Sequence, residues 1–255
     1  MPVTARIKAN ELLEKYCIEK PTELNLEEIA NAEYIIIQEE ELEKYDGRLS
    51  QRKEFGIITI NKNIKERKQK IFTIAHEMGH FYLGTGIKNI CNREDILNYY
   101  CKKNAEKEAN IFASELLMPE NWFRENIIWQ NDGIETIKSV SEFFNVSLSA
   151  AAIRYTEIGE MPVAVIMSQK NKVTWSSINK LFPFKYINTG QPLNSYSYAY
   201  DYFNNKELMS QPQEILSDAW FLNDFNYKAR TFLIEQNFVL KNYKTVMTIL
   251  WQEQK

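Results

Sequence analysis

The chain contains only two histidines, His76 and His80, and they stand four residues apart with a glutamate directly after the first. Four residues is about one helical turn, so a helix through this segment puts both imidazoles on one face. Two nitrogens so placed can reach one Zn²⁺ at about 2.0–2.1 Å each. The sequence His76-Glu77-Met78-Gly79-His80 is the pattern H-E-x-x-H, in which the glutamate lies beside the metal and can act as general base on water. An amphipathic helix could carry such a pattern by chance. Two things count against chance here. Every histidine of the chain is in the pattern, and its neighbours Ile71, Phe72, Ile74, Ala75, Phe81 and Leu83 are apolar, as a buried site needs.

A catalytic zinc site takes three protein ligands. No third histidine exists, so the remaining ligand has to be Asp, Glu or Cys. Cys91 and Cys101, ten apart in a polar segment, have no zinc spacing and read as ordinary cysteines. Downstream, Asn104–Met118 reads as a helix closed by Pro119, and it offers Glu106, Glu108 and Glu115. Glu106 shares a face with Ala109, Asn110, Ala113 and Leu117, and small residues there would allow close approach to the histidine helix. Glu106 is therefore the favoured third ligand, and Asn110, one turn on, can orient a ligand. Glu108 and Glu115 are expected on the opposite, solvated side.

Other chemistries find little support. The net charge of −3 gives no bulk attraction to nucleic acid. There is no G-x-G-x-x-G, and Gly79-x4-Gly84 is followed by Thr85 rather than Lys-Ser/Thr, so neither nucleotide motif is present. No apolar run exceeds five residues (Val163–Met167), too short to span a membrane. The first residues lack the apolar stretch of a secretory leader, and three scattered cysteines do not suggest a disulfide framework, so a cytoplasmic location is expected.

Along the chain, residues 4–17 and 26–30 read as helices and Tyr34–Ile37 as a short strand. Asp46-Gly47 reads as a turn, and Gly56–Asn61 as a strand preceding the histidine helix at about 65–83. Helices at 134–144 and 149–158 resemble a helix-turn-helix. Residues 121–160, however, carry three Lys/Arg against six Asp/Glu, and the second helix has only Arg154, so direct DNA binding is not expected. Beyond Gly159-Glu-Met-Pro162 the texture changes: residues 161–255 are net +3 while 1–160 are net −6. A hairpin at 163–176 and strands near 215–222, 229–240 and 244–251 are predicted. The alternating Tyr196, Tyr198, Tyr200 and Tyr202 would form one aromatic face on a strand, although Pro192-Leu-Asn-Ser is also a good helix start.

These motifs together resemble the ImmA/IrrE metallopeptidases. Phe72-Thr-Ile-Ala-His-Glu-Met-Gly-His80 is followed by Glu106-x-x-Ala109-Asn110-x-Phe112-Ala113-x-x-Leu116-Leu117-Met118-Pro119. The Gly56–Asn61 strand and Val146-Ser147-x-x-Ala150-x-x-x-Arg154 also look like that family, over roughly residues 5–160. Tyr155 departs from the leucine usual after that arginine.

The resemblance implies a zincin-like fold in which His76, His80 and Glu106 hold Zn²⁺ and Glu77 activates water. It implies that Ile57, Ile58, Thr59 and Ile60 form the sheet edge that pairs with an extended peptide. It also implies cleavage of a helix-turn-helix repressor, relieving repression on stress or on induction of a mobile element. The expected architecture is α+β. Residues 1–160 would form a zincin-like metallopeptidase domain with a helical extension at 134–158. Residues 161–255 would form a small α+β domain with an antiparallel sheet, for sensing or docking. The competing reading is a non-proteolytic regulator that sequesters a transcription factor.

Overall fold

A computed structural model of the chain describes residues 2–85, 91–92, 104–128, 133–222, 224 and 231–252. The protein is α+β and divides into two units, Met1–Asn126 with Ser141–Ser147, and Ile127–Val140 with Leu148–Lys255. Cys101 and most of segment 87–102 lie outside the described residues.

The first unit begins with α1 (Pro2–Lys15) and α2 (Leu26–Ala32). Asn25 starts α2 because its side chain accepts the backbone N–H groups of Glu27 and Glu28 at 3.2 and 3.3 Å. Strands β1 (Ile35–Glu40), β2 (Tyr45–Arg52) and β3 (Phe55–Asn61) follow, then α3 (Arg67–Tyr82), the two-residue strand β4 (Cys91–Asn92), α4 (Asn104–Leu117) and α5 (Glu120–Asn126). The sheet order is β1-β3-β2-β4, with β1 parallel to β3 and the other pairs antiparallel. Ile35, Ile58 and Ile60 are fully buried in its core, as are Ala75 and Met78 of α3.

Two expectations fail in this sheet. The segment Ile57–Ile60 is not an edge, because β3 bonds to β1 on one side and to β2 on the other. Asp46-Gly47 is not a turn but lies inside β2, and the chain reverses at Lys53, whose φ is 54°. The reason is the same in both cases. Strand β2 has no apolar run; it turns Leu49 into the core and is otherwise specified by pairing with β3. Side-chain periodicity therefore does not reveal it. Asn61 ties the preceding loop to the sheet, its Nδ2 donating to the carbonyls of Leu42 (2.6 Å) and Tyr45 (2.9 Å).

Helix α4 packs against both α3 and α1. That overturns the exposed position expected for Glu115, which is buried. It accepts from Asn10 Nδ2 at 3.4 Å and from the Glu120 backbone N–H at 3.1 Å.

The second unit contains α7 (Leu148–Ile158), most of α6 (Gly133–Phe143) and a five-stranded antiparallel sheet of order β6-β5-β9-β8-β7. The strands are β5 (Val163–Gln169), β6 (Lys172–Ile178), β7 (Gln213–Leu216), β8 (Phe232–Leu240) and β9 (Thr245–Trp251). Ala164, Ile166, Phe182, Trp220, Phe221 and Leu250 lie in one core. The alternating tyrosines do not make a strand: Tyr198–Phe203 is helix α8, with Tyr198, Tyr200 and Tyr202 packed against that core and Tyr196 exposed. The apolar stretch after 215 splits between β7 and the short helix α9 (Asp218–Phe221). Helix α7, the candidate recognition helix, is buried over Ala151–Thr156, and Arg154 is 1% exposed, out of reach of a phosphate.

Candidate metal centre

Helix α3 presents His76 and His80 one turn apart, both rings buried, with their Nε2 atoms 3.2 Å from each other. Helix α4 brings Glu106 Oε2 to 3.3 Å from His76 Nε2 and 3.4 Å from His80 Nε2. The three atoms form a nearly equilateral triangle. A tetrahedral ion with bonds of about 2.0–2.1 Å sets its ligand atoms about 3.3–3.4 Å apart, so this triangle is one face of such a tetrahedron. Two imidazoles and a carboxylate suit a divalent ion of intermediate softness. Among the described residues this is the one group of three such donors.

The close approach has a local cause. At Gly79 a Cβ would sit 3.0 Å from the Ala109 backbone and 3.2 Å from Phe112 Cβ. A side chain there would require α4, which carries Glu106, to give way by a few tenths of an ångström. The fourth position of the five-residue motif thus lies where the two helices come closest to backbone contact.

The electrostatics favour a cation. Burial alone lowers the pKa of His76. The Glu106 hydrogen bond and the charges of Glu77 and Glu106 outweigh it, so the net direction is upward. A proton or a metal ion is thus stabilised at the same spot, and the two compete.

Each of the two histidines has a partner on its other nitrogen. Asn110 Oδ1 lies 2.9 Å from His76 Nδ1, and Thr85 Oγ1 lies 2.8 Å from His80 Nδ1. Sequence reasoning reached Asn110 through its helix face and missed Thr85, which lies just past the helix end. Glu77 is fully buried beside His76 and faces β2. At Gly47 a Cβ would stand 3.0 Å from Glu77 Oε1 and 2.6 Å from Thr73 Cγ2. Gly47, which has the composition of a turn residue, is there because backbone must lie against the glutamate. Glu108 is half-buried and outside the donor triangle. Ile57–Ile60 lie one strand further away than Gly47, in β3.

The family model of the IrrE N-terminal-like domain matches residues 30–156. Over 139 residues the chain is 27% identical to Metallopeptidase ImmA of Bacillus subtilis (strain 168), an alignment that covers 53% of this chain and 77% of that one. In fold it resembles a solved Mycobacterium tuberculosis transcriptional regulator. That likeness covers 97% of this chain and 86% of the other, with a TM-score of 0.58 at 11% identity.

Proposed function

Residues 30–156 of the chain belong to the IrrE N-terminal-like family, and from that premise we propose that the protein is a cytoplasmic zinc-dependent endopeptidase. Its substrate would be a helix-turn-helix repressor, whose cleavage relieves repression during stress or on induction of a mobile element. The observation that carries the reading is the buried triangle of His76, His80 and Glu106 at 3.2–3.4 Å. No helix among the described residues is long and apolar enough to cross a membrane.

When bound, zinc supplies Lewis acidity, acidifying water and polarising a carbonyl. The chain's own groups do the rest. Asn110 holds the His76 imidazole in orientation. Glu77 takes a proton from the attacking water and delivers it to the leaving amine. An extended peptide would pair along β2 rather than β3. Among the described residues β4 meets β2 only at Tyr45 and Gly47, leaving Arg48–Arg52 open on that side, and β2 is the strand that lies against Glu77. The sheet of the second unit lies beyond residues 30–156 and would serve as a sensing or docking module.

Substitution of Glu77 by Gln tests this. The amide keeps the shape but cannot accept a proton at neutral pH. Zinc should stay bound, while cleavage of a helix-turn-helix repressor that the wild-type protein cuts, read by the masses of its fragments, should fall about 10²–10⁴-fold. If Glu77→Gln relieves repression in cells as well as wild type does, the protein works by sequestering its partner.

A further inference from the structure

Helix α3 ends in a Schellman motif, and the motif is built around a metal-site residue. Gly84 takes the left-handed conformation with φ of 67°. The Thr85 N–H donates to the His80 carbonyl at 3.0 Å, and the Gly84 N–H donates to the Phe81 carbonyl at 3.3 Å. These are the two closing bonds of that motif, with His80 three positions before the helix-capping residue. The residue after the left-handed one ordinarily makes an apolar contact with the last turn. Here it is a threonine, and its Oγ1 lies 2.8 Å from His80 Nδ1.

With an ion at Nε2, this arrangement gives the hydrogen on the other nitrogen of His80 an acceptor. For the Nε2 lone pair to face an ion, the ring proton must sit on Nδ1. Nδ1–H then donates to the Thr85 hydroxyl oxygen. We propose that Thr85 is a positioning residue of the metal centre, whose hydroxyl fixes the tautomer and ring orientation of His80. The inference rests on the metal-centre reading above. It also separates the two histidines. His76 is oriented by Asn110 from another helix, so its geometry depends on how α3 meets α4. His80 is oriented by the turn that follows its own helix, through the local sequence His80-x-x-x-Gly84-Thr85. The left-handed glycine is what turns the chain back far enough for the hydroxyl to reach the ring.

The test measures zinc affinity of the full chain by chelator competition, and the visible spectrum of the Co²⁺-loaded protein, for wild type, Thr85→Val and Thr85→Ser. Valine preserves the shape and removes the acceptor. Loss of a ligand's outer hydrogen bond weakens metal binding about 10–100-fold, so Thr85→Val should show that loss and an altered Co²⁺ spectrum, whereas Thr85→Ser should stay within about threefold of wild type. Thermal melting of the metal-free proteins should show Thr85→Val folded. Wild-type affinity and spectrum in Thr85→Val would overturn the positioning role and leave the peptidase reading intact. A Thr85→Ser protein as impaired as Thr85→Val would likewise overturn it. Wild-type protein that binds neither ion would instead sink the metal centre itself.

Discussion

Each unit of the protein buries a glutamate almost completely, Glu106 at 2% exposure and Glu235 at 0%, and the two are surrounded in opposite ways. Glu235 sits among N–H donors. Its Oε1 accepts from the Ala199 backbone at 2.9 Å and from Asn237 Nδ2 at 2.8 Å, and its Oε2 accepts from Trp220 Nε1 at 2.8 Å. Thr248 in turn donates to Asn237 Oδ1 at 2.6 Å, fixing the amide. That carboxylate is complete without a cation: dipoles compensate its charge and pin α8 and α9 to the sheet. Glu106 instead faces two imidazole nitrogens at 3.3 and 3.4 Å, groups that can share a proton or a metal ion with it. Burial of an acid is thus no sign of a metal site. The partners are what separate the two: N–H dipoles around Glu235, ring nitrogens able to bind a cation around Glu106.

The contrast is most open to attack at Glu106. Glu106→Ala should lower metal affinity roughly 10²–10³-fold, one ligand's share of the about 10–16 kcal/mol that closed zinc sites provide. His76→Ala and His80→Ala should do as much, and Glu108→Ala little. Metal titrations giving the reverse order for the two glutamates would put the third ligand on another face of α4. At Glu235 the expected loss is of stability instead. Glu235→Leu strands three buried donors and should destabilise the protein by roughly 3–5 kcal/mol in urea unfolding. Metal content should be unaffected; a loss of metal in this variant would mean that the two buried acids are not independent.

The smallest effect is in pH. Burial pushes the Glu235 carboxyl up to about 6 from an ordinary 4.5, against the pull of its donors. The folded state therefore holds its proton more tightly than the unfolded state does. Stability linked to this group is full below pH 4.5, declines as pH rises through 6, and is lower above it by about 2 kcal/mol. Urea unfolding of wild type and of Glu235→Gln across that window isolates the group, because the other carboxylates titrate in both. Equal slopes would show that Glu235 does not titrate there.

Much of the centre was legible because helices are local. The H-E-x-x-H spacing places two imidazoles on one face whatever the rest of the chain does, and the side of α4 that carries Glu106, Ala109 and Asn110 can be read by counting residues. Helix α2 could be placed from its apolar residues. The same counting misjudged Glu115, since it cannot tell that α4 is covered on a second side by α1. Residue type took Asp46-Gly47 for a turn, and the family resemblance took Ile57–Ile60 for an edge; β2 overturned both.

By itself, then, the sequence determined which residues could serve as ligands and base, because hydrogen bonds four residues apart fix a helical face. Only the tertiary structure decided that Gly79 lets Glu106 come within 3.4 Å of His80, that β2 rather than β3 lies against Glu77, and that Thr85 turns back to His80. Those outcomes depend on pairings between segments distant in the chain or on one left-handed backbone angle, and neither leaves a period in the sequence.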